Sequence, residues 1–450
     1  MTQDSGGAPV TKRVVILGGG FGGLYAALRL EKELRREPGL EVTLVNRENF
    51  FLFTPMLHEV AASDLDLTNI VSPVRTLLKR VGFFQGDVQG IDLERRTVTV
   101  THGLDTHPHD LPYDALVLAL GSVTNFYGLP GLEEHALTMK SLGDAVHLRN
   151  RLIQLMEEAD TECCALERSP LMTFVVAGGG FAGVETIAGL HDFVHASLRF
   201  YPNIGAKNVR FVLVHPGDYI LPELGEELGR YAQEKLAARG IEIRGRVKVS
   251  EVDGKGVTLS DGAVIPSRTI VWTAGTTPNP MLALLPCPRE KGRIKVDETL
   301  EVPGHPGVFA VGDCALIPHK SGAFHPPTAQ HALREGSVVA HNVLARLRGR
   351  EPRRFHFESL GQLAAIGRRT GVAKMFGMKF SGFLAWWLWR TIYLSKLPRF
   401  EKKLRVALDW TLDVFFSKDL VQFQTTRART MSSAAPAARP VEPAAARRTA

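Results

Sequence analysis

Two stretches of the chain, Arg13 to Gly23 (RVVILGGGFGG) and Thr173 to Gly183 (TFVVAGGGFAG), are near copies of one another. Each is a short β-branched apolar run of the kind that sits in a buried parallel strand, leading without a spacer into glycines at G-x-G-x-x-G spacing. In the first copy Gly18 permits a tight turn and Gly20 lets backbone approach a pyrophosphate. Gly23 lets the following helix, read as Leu24 to Leu34, pack on the strand with its N-terminal N–H groups facing the phosphates. Gly178, Gly180 and Gly183 hold the same places in the second copy, with a helix starting near Val184. One copy matches any glycine-rich strand-to-helix turn. Two copies in one chain predict two dinucleotide folds and two cofactors, one retained and one exchanged.

At 450 residues the chain exceeds one ordinary core, and two or three domains are expected. With 44% hydrophobic and 22% charged residues it has ample apolar surface to bury. The net charge of +7 does not describe the body: Arg427, Arg429, Arg439, Arg447 and Arg448 lie in a tail whose one acid is Glu442. Four scattered cysteines do not make a disulfide scaffold, and a reducing compartment fits them. Met1 to Pro9 is polar and glycine-rich, so export is not expected.

Along the chain, Glu41 to Val45 reads as the second strand of the first unit. Where a ribose-binding acid usually follows, Asn46 and Arg47 stand; Asn46 can hydrogen-bond a ribose hydroxyl without a charge. Phe50 to Val60 (FFLFTPMLHEV) reads either as core under a loop or as a wall of a flavin pocket. Val88 to Val100 and Ala115 to Leu120 read as strands, the latter ending in Gly121. His102, His107 and His109 lie in an irregular loop without a second ligand cluster, so a solvated hairpin tip is expected and no metal is assigned. Ser141 to Glu158 reads as a helix and Asp160 to Pro170 as a linker holding Cys163 and Cys164. In the second unit, Val209 to Val214 ends at His215 rather than an acid, with Asp218 nearby as a substitute. Val308 to Val311 delivers Asp313 after Gly312, where a carboxylate at a strand end is placed to bind dinucleotide hydroxyls. The second unit is then an insertion between two halves of the first.

Gly377 to Leu397 (GMKFSGFLAWWLWRTIYLSKL) is apolar nearly all round and holds three of the five tryptophans. It falls short of the ~20 apolar residues a spanning helix requires, and Arg390 interrupts it. It is expected to lie on a bilayer, with Trp386, Trp387, Trp389 and Tyr393 at the headgroup boundary and Lys379, Lys396, Arg399, Lys402 and Lys403 meeting anionic lipid. Leu404 to Phe416 reads as a second helix, with Leu404, Leu408, Leu412 and Phe415 opposing Arg405, Asp409 and Asp413. The other use of such a face is a dimer interface, so a homodimer stays open. Beyond Thr425 the Ala, Pro and Arg composition predicts a disordered tail.

Over residues 11 to 425 the chain resembles the type II NADH:quinone oxidoreductases, the single-subunit, non-pumping NADH dehydrogenases. The resemblance rests, in order, on GGGFGG at Gly18, ALGS at Ala119, GGGFAGVE ending at Glu185, WTAG at Trp272, VFAVGD at Val308, AQHA at Ala329 and FLAWWLW at Phe383. It implies an α/β fold of two Rossmann-like dinucleotide-binding domains plus a helical membrane-anchoring domain. The division is then 11–125 with 295–370 for FAD, 126–294 for NADH, 371–425 for membrane association and 426–450 as tail. The resemblance further implies that Gly18, Gly20, Gly23 and Asp313 bind FAD; Asn46, which departs from the family's acid, and Gly121 are read as cofactor-binding beside them. Gly178, Gly180 and Gly183 face the NADH pyrophosphate, and Glu185 lies beside the nicotinamide. Residue by residue, the family's A-Q-x-A-x-Q quinone motif falls on Ala329, Gln330, Ala332 and Arg334, where a cation replaces the second glutamine. Gln330 is expected to donate its amide to a quinone carbonyl, and Glu185, as a first-turn carboxylate, to be favoured by its helix dipole. The implied partners are a membrane quinone and an anionic bilayer surface at the cytoplasmic face of the plasma membrane, with no nucleic acid. Two other functions compete. A sulfide:quinone oxidoreductase also uses a membrane anchor and needs cysteine sulfur beside the flavin, but Cys163, Cys164, Cys287 and Cys314 do not make its usual arrangement. With no cysteine in residues 1 to 162, a disulfide reductase is disfavoured. A flavin-containing signalling protein similar to apoptosis-inducing factors would show a polar basic groove, whereas the basic residues here accompany an apolar aromatic segment.

Overall fold

The computed structural model describes residues 11–36, 39–103 and 106–423. The expected tail, 426–450, lies outside them. Its first sheet is wholly parallel, in the order Val308–Ala310, Ala115–Leu118, Lys12–Leu17, Leu40–Asn46, Gly82–Gln85. Its central strands read as continuous apolar runs because both faces are covered: Ile16, Leu17 and Leu44 are fully buried. The strand at 308–310 comes from far along the chain, and the helix Ala329–Leu347 that follows it lies against Phe21–Glu33. Those two helices cross closely because a Cβ on Gly336 would meet the Gly22 carbonyl oxygen at 2.3 Å. The chain thus returns to the first sheet after an excursion through a second.

The second parallel sheet runs Leu137–Thr138, Thr269–Trp272, Thr173–Ala177, Arg210–His215, Ile241–Gly245. Its register with the first is joined by a short antiparallel pair, Ser122–Thr124 with Thr276–Pro278, where the chain passes between the units. Both post-glycine helices begin earlier than the sequence reading placed them, at Phe21 and Phe181, because Gly23 and Gly183 lie inside the first turn. The segment read as a linker at 160–170 is partly helical, Ala165–Leu171. The helix before it, Leu142–Thr161, is started by a reciprocal cap between Ser141 and Asp144.

The C-terminal portion starts as a three-stranded antiparallel sheet, Gly361–Ala365, Gly371–Met375 and Met378–Ser381, so its first strand lies before residue 371. Helices Gly382–Lys396 and Phe400–Phe415 follow. Gly371 lets the first of them sit on the sheet, since a Cβ there would lie 2.7 Å from the Trp386 nitrogen. Of the residues assigned to the headgroup boundary, Trp387 is half exposed, but Trp389 is fully buried and Tyr393 packs on Phe53 and Trp389. Arg390 explains its place in an apolar helix: its guanidinium lies between the rings of Trp386, at 4.3 Å, and Trp410, at 4.5 Å.

The second helix turns Asp409 and Asp413 towards the body and its leucines outward. Asp409 accepts from Asn69 Nδ2 at 2.6 Å, while Leu404, Leu408, Leu412 and Phe415 are exposed. Several basic residues expected at lipid have partners within the protein. Lys402 is buried with Nζ donating to the Thr68 carbonyl at 2.6 Å, Lys403 donates to Ser395 O at 2.7 Å, and Lys379 pairs with Glu227. Their amines satisfy backbone carbonyls and an acid instead of pointing outward. Among the described residues no helix is long and apolar enough to cross a membrane.

Candidate active site

The six glycines divide into two kinds. Gly18 has φ +103° and a Cβ on it would fall 2.2 Å from the Ala119 oxygen; a Cβ on Gly23 would fall 1.9 Å from Gly18 O. Gly178 and Gly183 are boxed in equally, by Thr273 Oγ1 at 2.5 Å and Gly178 O at 1.8 Å. Those four positions are glycine because the protein itself fills the space. Gly20 and Gly180 meet nothing within 4 Å, and their backbone is extended. Each faces open space at the N-terminus of its helix, which fits a cradle that a side chain would fill and a pyrophosphate can enter.

The strand-end residues Asn46 and His215 have a shared task. Asn46 Oδ1 accepts from Gly19 N at 2.7 Å and its amide donates to Glu48 O at 2.7 Å. His215 Nδ1 accepts from Gly179 N at 3.1 Å. Both side chains brace a glycine loop, so Asn46 has its amide committed at both ends where the sequence reading gave it to a ribose. Gly121 and Asp313 are brought together: the Gly121 N–H donates to Cys314 Sγ at 3.0 Å, and Asp313 accepts from Ser122 Oγ with Lys140 Nζ at 3.9 Å. Glu335 buttresses this corner by accepting from Gly312 N at 2.7 Å, and burial pushes its carboxyl up to about 7.

Glu185 stands in the second turn of Phe181–Ser197, past the reach of the dipole term expected for it. It is buried, and Oε1 accepts from Trp389 Nε1 at 3.0 Å and from Ala365 N at 3.1 Å. Burial raises its carboxyl to about 8, the opposite of a stabilised first-turn anion. Its other oxygen lies 3.7 Å from Nδ1 of His58, whose imidazole burial depresses to about 3. At neutral pH these neighbours meet as a largely neutral acid and a neutral imidazole. Beside them Glu59 accepts from Trp410 Nε1 at 3.2 Å and is likewise raised by burial to about 8. Sequence reasoning missed His58 and Glu59; the signal was two adjacent ionisable residues inside the otherwise apolar run at 50–60.

Two cavities meet at Glu185, and a third borders one of them. One of about 330 Å³ lies over the second glycine unit, lined by Lys140, Phe181, Glu185, Trp272, Thr273 and Tyr393. A polar one of about 530 Å³ is lined by His58, Glu59, Glu185, Asp192, Arg390 and Lys418. A third, about 400 Å³ and mostly apolar, is lined by Phe21, Phe53, Gln330, Leu333, Arg334 and Phe376. Pro55, Phe181 and Tyr393 border both the first and the third. The aromatic run at 50–60 is therefore core at Phe51 and cavity wall at Phe53 and Pro55.

Gln330 lines the apolar cavity, but its amide already donates to Ser359 Oγ at 2.9 Å and Gly361 O at 3.2 Å. The donation to a quinone expected of it is not set up in this arrangement, because the amide is engaged by the Ser359 hydroxyl and by the start of the neighbouring strand. Arg334 donates to Gln330 O at 2.7 Å and lies 3.8 Å from the Phe357 ring. His102 and His109 meet at 2.7 Å on the hairpin Thr97–Pro112; among the described residues no group of three or more His, Cys, Asp or Glu is placed to hold a metal.

Paired parallel sheets, two glycine cradles and a cavity at their meeting strand ends define a flavin-dependent, pyridine-nucleotide oxidoreductase with two dinucleotide-binding domains. Residues 12–336 match the family model for pyridine nucleotide-disulphide oxidoreductases, and residues 360–419 match the NDH2 C-terminal domain. Type II NADH:quinone oxidoreductase Ndh of Mycobacterium tuberculosis is 33% identical over 90% of this chain and 88% of its own. Demethylphylloquinone reductase NdbB of Synechocystis is 34% identical over 88% and 95%. The structure of NDH2 from Plasmodium falciparum in complex with NADH superposes with a TM-score of 0.84 at 19% identity, covering 91% of this chain and all of that one. The chain belongs to the type II NADH:quinone oxidoreductases.

Proposed function

We propose that this enzyme takes hydride from NADH at the cavity over the second glycine loop and delivers the electrons to a quinone in the apolar cavity behind it. FAD bound over the first glycine loop supplies the hydride acceptor that links the two. The observation that carries this reading is the shared wall, Pro55, Phe181 and Tyr393, with the cavity that holds Lys140 and Glu185 on one side and the mostly apolar cavity that holds Gln330 on the other. In this reading Gly18 and Gly23 shape the first loop, Gly20 admits the pyrophosphate, and Asp313 and Gly121 hold the sugar-alcohol side. Gly178, Gly180 and Gly183 do the same for the visiting nucleotide. Glu185 stands at the nicotinamide side as a neutral, hydrogen-bonded carboxyl able to hold or move a proton at Oε2. Gln330 and Arg334 keep the quinone cavity in shape through the Gly361 strand and Phe357. Positioning and water exclusion then carry the chemistry, with no metal or covalent nucleophile required.

The domain division follows: 11–125 with 295–359 for FAD and 126–294 for NADH, with the C-terminal unit extended back to residue 360. We assign the exposed apolar face of Phe400–Phe415, with Phe383 and Trp387, to a bilayer surface from which a lipid-soluble quinone reaches the apolar cavity. The site would then stand at the cytoplasmic face, the enzyme peripheral to the membrane. Sulfur chemistry is disfavoured because Cys314 is buried with its thiol pushed up to about 12, and Cys163 and Cys164 are exposed on the 160–170 segment. The test is flavin-loaded protein titrated with NADH and then with a short-chain quinone. Bleaching by NADH and recovery with quinone support the reading; bleaching by sulfide instead would replace it.

A further inference from the structure

Oxidation of NADH removes a hydride, and a quinone that leaves as quinol takes up the equivalent of that hydride and one further proton, which has to come from solvent. The lining of the apolar cavity offers little to supply it. Its titratable residues are Arg334, Tyr393 and Lys396, with no carboxyl or imidazole among them. Burial pushes the Tyr393 phenol above its ordinary value, which makes it a poorer acid, and a guanidinium keeps its protons. Glu185 and Glu59 line other cavities.

Thr328 also lines the apolar cavity, and it does not behave as a helix cap. It stands at the N-cap of Ala329–Leu347, where a threonine hydroxyl ordinarily accepts from the helix backbone, yet it makes no such bond. Its Oγ1 lies instead 2.7 Å from Nδ1 of His331. Behind His331 stands a row of imidazoles. The His331 ring centroid is 5.5 Å from that of His325, which is 4.8 Å from that of His319. The Ser321 N–H donates to His319 Nδ1 at 3.2 Å, so the neutral ring carries its own hydrogen on Nε2, 3.4 Å from Glu358 Oε1. Exposure rises along the row: His331 is 2% exposed and His325 6%, the His319 side chain 18% and that of Glu358 60%. Phe357 packs on His331 and Phe355 on His325, while the alternate residues His356 and Glu358 are exposed.

The charged and titratable groups around the row are Arg334 beside His331, and His356, Lys320 and Glu358 towards its outer end. Burial, reinforced by the neighbouring rings, depresses both inner imidazoles, His331 to about 4. They stand neutral, each with one nitrogen to accept and one to donate. Rings at these separations exchange a proton directly or through one water, and their low basicity keeps them from trapping it.

We infer that Glu358, His319, His325, His331 and Thr328 form a proton path from solvent to the quinone in the apolar cavity. This rests on the reading that quinone is reduced there. In balance, NADH, a quinone and one proton give the oxidised nucleotide and quinol. The proton enters at Glu358, each imidazole takes one at one nitrogen and releases one from the other, and Thr328 hands its hydroxyl hydrogen to a quinone oxygen as it recovers one from His331. The histidines act through Thr328 and are positioning residues.

Rapid mixing of the reduced, flavin-loaded protein with a water-soluble quinone tests the path, with prior reduction by NADH as the sign that each variant is folded and loaded. His331→Asn keeps a hydrogen-bonding partner for Thr328 but cannot relay a proton, and reoxidation should slow by about tenfold to a hundredfold. In that variant the rate should fall with rising pH more steeply than in the parent. Imidazole added to the buffer should restore it, where pyrazole, of the same size but a far weaker base, does not. His319→Gln, at the exposed end where the fold is not at stake, should show the same pattern more weakly. Quenching of protein fluorescence by the quinone, read without turnover, should be alike in parent and both variants. Slowing that imidazole does not relieve and pH does not alter would make the row structural and overturn the path. Leu333→Trp, which fills the cavity, separates the two levels. If it leaves reoxidation unslowed, quinone is reduced elsewhere and the inference falls with the site reading. If it slows reoxidation while His331→Asn and His319→Gln run at the parent rate, the path alone is overturned.

Discussion

Gly20 and Gly18 differ by two positions and should fail in different ways. Gly18 adopts φ +103° against the Ala119 oxygen, so Gly18→Ala is expected to cost about 1–3 kcal/mol of stability through strain and clash. Gly20 has an ordinary backbone and open space before it, so Gly20→Val should melt close to the parent yet emerge colourless after desalting. Calorimetric melting and flavin absorbance separate the two; a folded, yellow Gly20→Val would contradict the cradle. The buried acids give a second expectation. Glu185 and Glu59 sit near 8 and Glu335 near 7, all above the ordinary carboxyl value, with burial the first cause of each. A carboxyl raised in the folded state contributes stability that is whole below its unfolded pKa and lost as pH rises through the folded value. The apoprotein should thus lose thermal stability from about pH 5 to pH 9, and Glu59→Gln should flatten part of that slope. A melting temperature that climbs over the same interval would contradict the neutral state of these groups. None of this was legible beforehand. Glu185 and Trp389 are 204 residues apart in sequence and Glu59 and Trp410 are 351 apart, so no local pattern signals either pair.

Helices and strands were readable wherever their causes are local. The glycine loops, the continuous apolar strands and the interrupting Arg390 all announce themselves in sequence, and the sheets stand where those runs are. The helix starts were misjudged by one turn because the third glycine was read as a boundary when it is a contact point inside the helix. The C-terminal helices show the harder case. Amphipathic spacing identified Leu404, Leu408, Leu412 and Phe415 as one face, but it could not say that Lys402 and Trp410 would be buried against the body. The exposed leucines are the element's testable feature. Leu404→Glu and Leu408→Glu should each reduce binding to vesicles containing anionic lipid by roughly ten- to a hundredfold, the ~1.5–3 kcal/mol of one buried leucine. NADH oxidation with a water-soluble quinone should hold near the parent rate. Sedimentation with vesicles reads the first and absorbance the second; undiminished binding by the double variant would move the lipid-facing surface elsewhere, or give the face to a second copy of the chain.

At the scale of the whole molecule one wall, Pro55, Phe181 and Tyr393, borders two cavities, and we propose that it serves both reactions. The return of 308–347 to the first sheet brings Asp313 beside Ser122 and Lys140, and Gln330 to the apolar cavity, while the inserted unit brings Phe181 and Glu185. The sequence carried the insertion, because a strand ending in Gly312 and Asp313 needs a parallel partner and the first unit supplies it. It did not carry the cavities, which form from side chains of four separate regions. The central claim is that donor and acceptor use opposite sides of this wall, and rapid mixing of the Gln330→Ala enzyme tests it. Reduction of the bound flavin by NADH should match the parent, while reoxidation by quinone should slow by about one to two decades, or ~1.4–2.8 kcal/mol. Equal slowing of both half-reactions would contradict separate cavities, and slowing of neither would show that the cavity shaped by Gln330 is not where quinone is reduced.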